Sequence, residues 1–509
     1  MSSVFKFWKQ DLPAGLVVFL VALPLCLGVG FASTNVIGQE GLPNVMSGII
    51  AGIIGGTLVA VCSSARLGVS GPAAGLITIV LAALSDLGSF DTFLLSLVLA
   101  GIIQFILAFI GFGYLANYVP TAVIKGMLAA IGIMLVLKEI PHLLGYDNDY
   151  FGDESFWQFD GHNTFSELFY ALKAFEPGAI ILGFLSIIIL LIFDLKWIKS
   201  KKWAMYIPGA LVVVVWSVVV NQFFLGTLHL EGKHLVEVPR LASFEQVKLI
   251  FHSPDWLQIS NSKVWVIAIT LALVGSLETL LSLEATDKLD PKKQKTNPHR
   301  ELKAQGVGNL VSGLIGGLPI TQVIVRSSAN IAAGGQSKLA AIVHGLLLLI
   351  SVLFLGSVLN MIPLATLAAI LVLVGYKLAK WSLFVEMYRK GLAQFIPFIS
   401  TIVAVLLTDL LKGIGIGILI SIFYILKRNF QNHFSKEETR DEYKIILAEE
   451  VTFLNKGGIL DALQQCKNKR VIIDASRTIS MDSDVLESLK EFKMNAEAEG
   501  RQEIIFINL

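Results

Sequence analysis

Two short segments far apart in this 509-residue chain place polar and helix-breaking residues among apolar neighbours. The first is Gly68-Val69-Ser70-Gly71-Pro72-Ala73-Ala74-Gly75. The second opens with Pro319-Ile320-Thr321 and carries Arg326-Ser327-Ser328-Ala329-Asn330. Glycine and proline break a helix, and the N-terminus of a broken helix offers free backbone N–H groups and a positive potential to an anion. Pro72 is well placed as a first helical residue. Ser70, Gly71, Pro72 and Ala73 of one segment, with Arg326, Ser327 and Ser328 of the other, are therefore candidate anion-binding residues. A guanidinium inside an apolar run costs at least about 2.5 kcal/mol on insertion scales, so a purely structural Arg326 would need a partner carboxylate. For Ser70-Gly71-Pro72 the structural alternative is a simple kink at a helix crossing. A third segment, Val274-Gly275-Ser276-Leu277-Glu278-Thr279-Leu280-Leu281-Ser282, sets Glu278 and Ser282 four apart on one helical face. A buried carboxylate either pairs with a cation or takes up a proton. Glu278, with Ser282, is thus a candidate coupling site that neutralises Arg326 in one state and holds a proton in another; a static Glu278–Arg326 pair is the structural alternative. Glu284 and Asp287 lie closer to the end of the same helix, and Glu284 reads as interfacial.

The elements that must position these residues are membrane helices. With 54% hydrophobic and 16% charged residues and a mean hydropathy of +0.71, the chain is too apolar for a soluble globular protein. Its net charge of +1 gives no reason to expect nucleic-acid binding. Apolar stretches long enough to cross about 30 Å of hydrocarbon recur near 12–32, 43–62, 70–87, 92–113, 118–140, 178–194, 205–225, 262–286, 303–318, 320–333, 337–359, 363–379, 394–411 and 412–427. The first continues past Pro24 without a cleavage site and reads as a span, not a signal peptide. Lys196, Lys199, Lys201 and Lys202 in one loop, and Lys292, Lys293, Lys295 and Arg300 in another, fall inside if the N-terminus is inside. The acidic loop with Asp147, Asp149, Asp153, Glu154, Asp160 and Glu167 then lies outside. An integral multi-pass protein of the plasma (bacterial inner) membrane, with both termini cytoplasmic, is expected.

The two halves echo each other. Gly52-Ile53-Ile54-Gly55-Gly56 is answered by Gly313-Leu314-Ile315-Gly316-Gly317, and Val119-Pro120-Thr121-Ala122 by Ile362-Pro363-Leu364-Ala365. With seven spans each, such halves are inverted, and inverted-repeat carriers hold substrate near the midplane on discontinuous helices. The third and tenth spans, which contain the two polar segments, occupy equivalent places. Three widely spaced cysteines, Cys26, Cys62 and Cys466, read as packing residues. After the membrane domain (1–430) come a charged linker (431–442) and a small α/β domain (443–509). Its pattern reads strand Tyr443–Leu447, a second strand Val451–Leu454, helix Gly458–Gln465, strand Arg470–Asp474, helix Asp484–Ala498 and strand Glu503–Leu509.

Ser70-Gly71-Pro72 and Glu278, together with Asn297-Pro298-His299-Arg300-Glu301-Leu302-Lys303-Ala304-Gln305-Gly306 and the run Asn309 to Pro319, resemble the sulfate permease family of anion transporters, and the tail resembles its STAS domain. The resemblance implies a core (spans one to four and eight to eleven) moving against a gate (spans five to seven and twelve to fourteen), an anion bound between the third and tenth spans, and a homodimer. It implies secondary transport of sulfate, bicarbonate or chloride by an elevator-type motion. Relatives that carry bicarbonate with sodium lack an arginine on the tenth span; here Arg326 favours a coupling proton or a counter-anion. Leu25 stands after the first-span proline where many relatives have a polar residue. Ser483 matches the position phosphorylated in bacterial anti-sigma antagonists, although Asp484 replaces the small residue that follows there. The tail ends on a strand and reads as a shortened STAS domain suited to docking or dimer contact. A nucleobase–cation symporter and an anion channel share this architecture and are the alternatives. No catalytic triad, P-loop or clustered metal ligands occur, so no enzyme activity, cofactor, metal or ATP-driven pumping is expected. His229, His234 and His252 are too widely spaced for a metal site and read as surface histidines.

Overall fold

All fourteen segments expected to cross the membrane carry helix. The computed structural model describes residues 4–34, 45–148, 163–201, 203, 206–223, 226–238, 250–431, 434–439, 442–466, 470–498 and 503–508. Asp149, Asp153, Glu154, Asp160, Lys202, Arg440, Asp441 and Leu509 lie outside these residues. The chain divides into two compact units, Met1–Gly417 and Ile418–Leu509. Among the described residues, seven helices are long and apolar enough to cross a bilayer alone, from Trp8–Ser33 to Leu410–Lys427. Pro120 and Pro363 end in extended conformation immediately before the helices Thr121–Leu144 and Leu364–Leu378, as their echo in the sequence predicts.

Packing within the membrane unit repeats with inverted symmetry. Span one (Trp8–Thr34) lies on span eleven (Leu339–Phe354), and span eight (Ser262–Leu289) lies on span four (Phe90–Phe109). Span four also packs against span nine (Pro298–Ile315), as span eleven does against span two (Met46–Cys62). Each of these last two contacts closes on facing glycines. A Cβ at Gly101 would meet the Gly306 carbonyl oxygen at 2.6 Å, and one at Gly345 would meet Gly56 Cα at 2.9 Å. Small residues let helix backbones approach this closely in lipid, which explains why glycine is needed at both symmetry-related places. In the other group, span five (Thr121–Leu144) packs on twelve and thirteen (Leu392–Leu407), while twelve packs on six (Pro177–Asp194). The core and the gate are these two groups.

One end of the gate is tied by polar side chains. Asp147 joins His142 and His234, each through a ring Nδ1 at 2.6 Å. His234 is thus a half-buried hydrogen-bonding group and not a free surface histidine. Burial by itself would raise the Asp147 carboxyl, but the hydrogen bonds from His142 and His234 outweigh it and hold this group below the usual carboxylate range. Asn360 clamps Val238, accepting from its N–H at 2.7 Å and donating to its carbonyl at 3.1 Å.

In the C-terminal unit a four-stranded sheet has the order β3 (Phe434–Glu438), β4 (Glu442–Leu447), β6 (Arg470–Asp474), β8 (Ile504–Ile507). β3 is antiparallel to β4, and the rest are parallel, joined through the helices Lys456–Gln464 and Ser483–Ala498. Ile445, Val471, Ile473 and Ile459 are fully buried between sheet and helices. Two sequence expectations are corrected here. The charged stretch read as a linker contains β3, because an edge strand exposed along its length can be written in lysine and glutamate and still pair through its backbone. The strand expected at Val451–Leu454 shrinks to β5 (Glu450–Val451), paired with β7 (Ser480–Met481), and the chain turns into a 3-10 helix at Phe453–Asn455. Ser483 is exposed as the first residue of its helix.

Candidate functional site

The two polar segments come together as a pair of short strands. β1 (Ser70–Pro72) and β2 (Ile320–Gln322) run antiparallel, with Ser70 opposite Gln322, Gly71 opposite Thr321 and Pro72 opposite Ile320. Pro72 is therefore extended and not the first residue of a helix, which corrects the sequence reading. Proline removes one ladder donor, and a two-stranded ribbon at a helix break tolerates that loss. Helix begins only at Ala74–Leu76 and Ile77–Leu87 in the third span, and at Ile324–Ala332 in the tenth. The ribbon continues outward through Val323 N–H to the Val69 carbonyl at 2.9 Å and Ala73 N–H to the Pro319 carbonyl at 3.2 Å.

One helix holds this ribbon in place. Glu301, Gln305, Asn309 and Ser312 of span nine recur at spacings of four, four and three, a single helical stripe. Asn309 accepts from Ile320 N–H at 2.6 Å and donates to its carbonyl at 3.0 Å, supplying the pairing that a third strand would give. Gln305 donates to Ser70 Oγ at 2.7 Å and to Glu301 at 3.0 Å, and Ser312 donates to the Leu318 carbonyl at 2.7 Å. Gln322 of β2 donates in turn to Thr286 Oγ1 of span eight at 3.0 Å. These bonds from the span-nine stripe and span eight tie both strands of the ribbon and so fix its register.

Beyond the ribbon lies a cavity of about 120 Å³. Gly75 and Thr78, at the start of the third-span helix, and Val323 to Val325, at the start of the tenth, both face it. Glu278 and Ser282 line the same wall, and Ile131, Met134, Leu135, Val405, Thr408, Asp409 and Leu410 form the gate wall opposite. Two helix N-termini, each worth about half a positive charge, thus converge on one space with a carboxylate beside them.

The sulfate permease family matches residues 8–403. The chain belongs to that family. YvdB of Bacillus subtilis (strain 168) is 28% identical over 423 residues, covering 83% of this chain and 74% of the relative. The bicarbonate transporter BicA of Picosynechococcus sp. is 27% identical over 444 residues, covering 86% and 73%. The murine Solute Carrier 26 family member A9 anion transporter, solved in the inward-facing state, has the same fold, with a TM-score of 0.67 at 16% identity over 99% of this chain and 86% of that one. This sulfate permease family chain is accordingly a multi-pass membrane transporter and not an enzyme, its C-terminal strands fit a STAS domain, and the nucleobase–cation symporter alternative falls away.

Within this family member the predicted site residues separate into two sets. Glu278 and Ser282 face the cavity, and Glu278 lies so near Gly75 that a Cβ there would stand 3.1 Å from its Oε1. Ser70, Gly71, Pro72 and Ala73 form and extend the ribbon. Ser327 accepts from Val69 N–H at 3.0 Å and donates to the Val323 carbonyl at 2.7 Å, and Ser328 donates to the Val325 carbonyl at 2.8 Å. Arg326, 1% exposed, turns its guanidinium back against Gly71, where a Cβ would lie 2.7 Å from Cζ. Among the described residues no carboxylate lies within ion-pair distance of Arg326, so neither the static pair with Glu278 nor the one expected in a single transport state is formed here. Asp409 and Thr408 on the gate wall, and the Gln305–Asn309 stripe, went unnoticed in the sequence. The stripe's four-residue spacing was its available signal, and for Asp409 it was an acidic residue between two apolar runs.

Proposed function

We propose that this transporter is a secondary active carrier of a small inorganic anion, sulfate or bicarbonate, working by elevator-type movement of the core against the gate with a proton as the coupling ion. The observation that carries this reading is the cavity where both half-helix N-termini meet Glu278 and Ser282 across from the gate. Ser70, Gly71, Pro72, Ala73, Ser327 and Ser328 frame the two helix ends that receive the anion, and Arg326 raises the potential from behind the ribbon. Among the described lining residues none is basic, while Glu278 and Asp409 are acidic. An anion and an ionised Glu278 repel in so small a space, so a proton on Glu278 admits the anion. Counter-anion exchange is the second reading, in which one anion leaves as another enters and Glu278 stays fixed in charge. The chain works in the plasma membrane as a homodimer with both termini cytoplasmic.

The test is uptake of labelled sulfate and labelled bicarbonate into proteoliposomes with and without an inward proton gradient. Wild type is compared with Glu278→Gln and Arg326→Ala. Gradient-stimulated uptake of one anion, uncoupled by Glu278→Gln and strongly reduced by Arg326→Ala, is the expected result. Uptake that needs only internal anion would move the assignment to exchange, and uptake that follows membrane potential at channel rates would remove the carrier reading.

A further inference from the structure

Asp409 ends the thirteenth span and begins the last. Its Oδ1 accepts from Lys412 N–H at 2.8 Å, capping the helix Leu410–Gln431, and its Oδ2 meets Lys412 Nζ at 2.8 Å. A helix cap needs only a short polar side chain, and serine or asparagine would serve. A carboxylate is a costlier choice at this place, because Asp409 lines the same cavity as Glu278, and Glu278 sits past the midpoint of the 28-residue helix Ser262–Leu289. Asp409 therefore shares a cavity with a carboxylate of a membrane-spanning helix, and an ionisable residue in such a place is a functional candidate by default.

The two carboxylates stand on opposite walls, Glu278 on the core and Asp409 on the gate. Other charges around Glu278 are held elsewhere. On its own helix Glu284 pairs with Lys288 at 3.4 Å, and Asp287 accepts from Thr296 at 2.7 Å. Arg326 of the tenth span packs against Gly71. On span five, Lys125 pairs with Glu386 at 2.7 Å and Lys138 with Glu167 at 3.4 Å. Lys412 is 74% exposed and screens Asp409 only in part. Among the described residues that line the cavity, Asp409 is the one other charged group beside Glu278.

We propose that Asp409 is the gate-side coupling residue: its negative charge favours a proton on Glu278 while the two face one cavity, and weakens its hold on Glu278 when the core moves away. This rests on the proton-coupled carrier reading above. Loading and release of the proton then follow from the motion itself, since the same carboxylate has a different neighbour in each state.

The experiment uses the full chain in proteoliposomes and records initial uptake of labelled sulfate, and in parallel labelled bicarbonate, across external pH 5 to 8. Asp409→Asn keeps the cap and removes the charge, and Asp409→Ser supplies a second uncharged cap. Both are expected to move the pH midpoint of uptake toward acid, by about threefold in proton concentration for a partly screened pair across a wet cavity. Lys412→Gln, which unmasks Asp409, is expected to move it the other way by a similar factor. Glu278→Gln removes the pH dependence in every background. If the Asp409 and Lys412 variants keep the wild-type midpoint, or shift it in the same direction, Asp409 is only a cap and the proposal is overturned, while loss of pH dependence in Glu278→Gln leaves the carrier reading standing. If Glu278→Gln keeps the pH dependence, the proton site itself is misassigned and both readings fall.

Discussion

Replacing Gly71 by alanine tests whether the guanidinium of Arg326 acts where the structure places it. Gly71 lies in β1 without a positive φ, so alanine suits its backbone and the perturbation is steric alone. The new Cβ would overlap Arg326 Nη1 and lie 2.7 Å from Cζ, so a side chain that is 1% exposed must leave its position. Overpacking a buried site costs about 1–3 kcal/mol. Part of that cost appears as a lower melting temperature of the detergent-solubilised protein. The remainder appears as a displaced charge, and about 1.4 kcal/mol of lost anion stabilisation would raise the KM for uptake about tenfold. The decisive comparison is the double variant. In an Arg326→Ala background the obstructing group is gone, so Gly71→Ala should add less than about 0.5 kcal/mol, giving an interaction energy of about 1–2 kcal/mol between the two sites. A silent Gly71→Ala, or effects of the two substitutions that simply add, would refute the placement of Arg326 behind the ribbon.

Asn309→Ala removes both hydrogen bonds to Ile320 and leaves a buried N–H and carbonyl of β2 without them. A loss of about 2–4 kcal/mol is expected, read as a lower melting temperature, with Asn309→Asp intermediate because it keeps the acceptor. At the polar end of the gate, Asp147→Asn should cost about 1–3 kcal/mol near neutral pH by weakening its bonds to His142 and His234. Because the folded-state value of Asp147 is depressed, its contribution is complete above the ordinary aspartate value of about 3.9 and is lost as pH falls through the lower folded value. The gap in melting temperature between wild type and Asp147→Asn should therefore close as pH falls below about 4. A gap that widened in acid would contradict the assignment.

The spans, the halves and the two broken helices were legible because each leaves a periodic or compositional trace. An apolar run of about twenty residues has a single reading in lipid, and Gly-Pro or Arg-Ser-Ser within one interrupts it visibly. What Ser70-Gly71-Pro72 becomes after the interruption was not legible. Three extended residues have no period to detect, and their partner lies 250 positions later in β2. Proline at a helix start and proline in a strand give the same letters, and only the Asn309 clamp on the opposite strand decides between them.

Charge was harder to read than pattern. Arg326 and Glu278 looked like natural partners on opposite-sign grounds, yet Gly71 opens the space that draws the guanidinium to the far side of the ribbon. The effect of that missing side chain cannot be inferred from the arginine. Asp409 was hidden for a related reason: an apolar window that runs from Leu392 to Leu426 absorbs one acid without losing its character, so the residue looks incidental until the fold sets it across from Glu278. In an inverted repeat the wall that faces the site comes from the gate, whose residues are distant in sequence from every motif of the core.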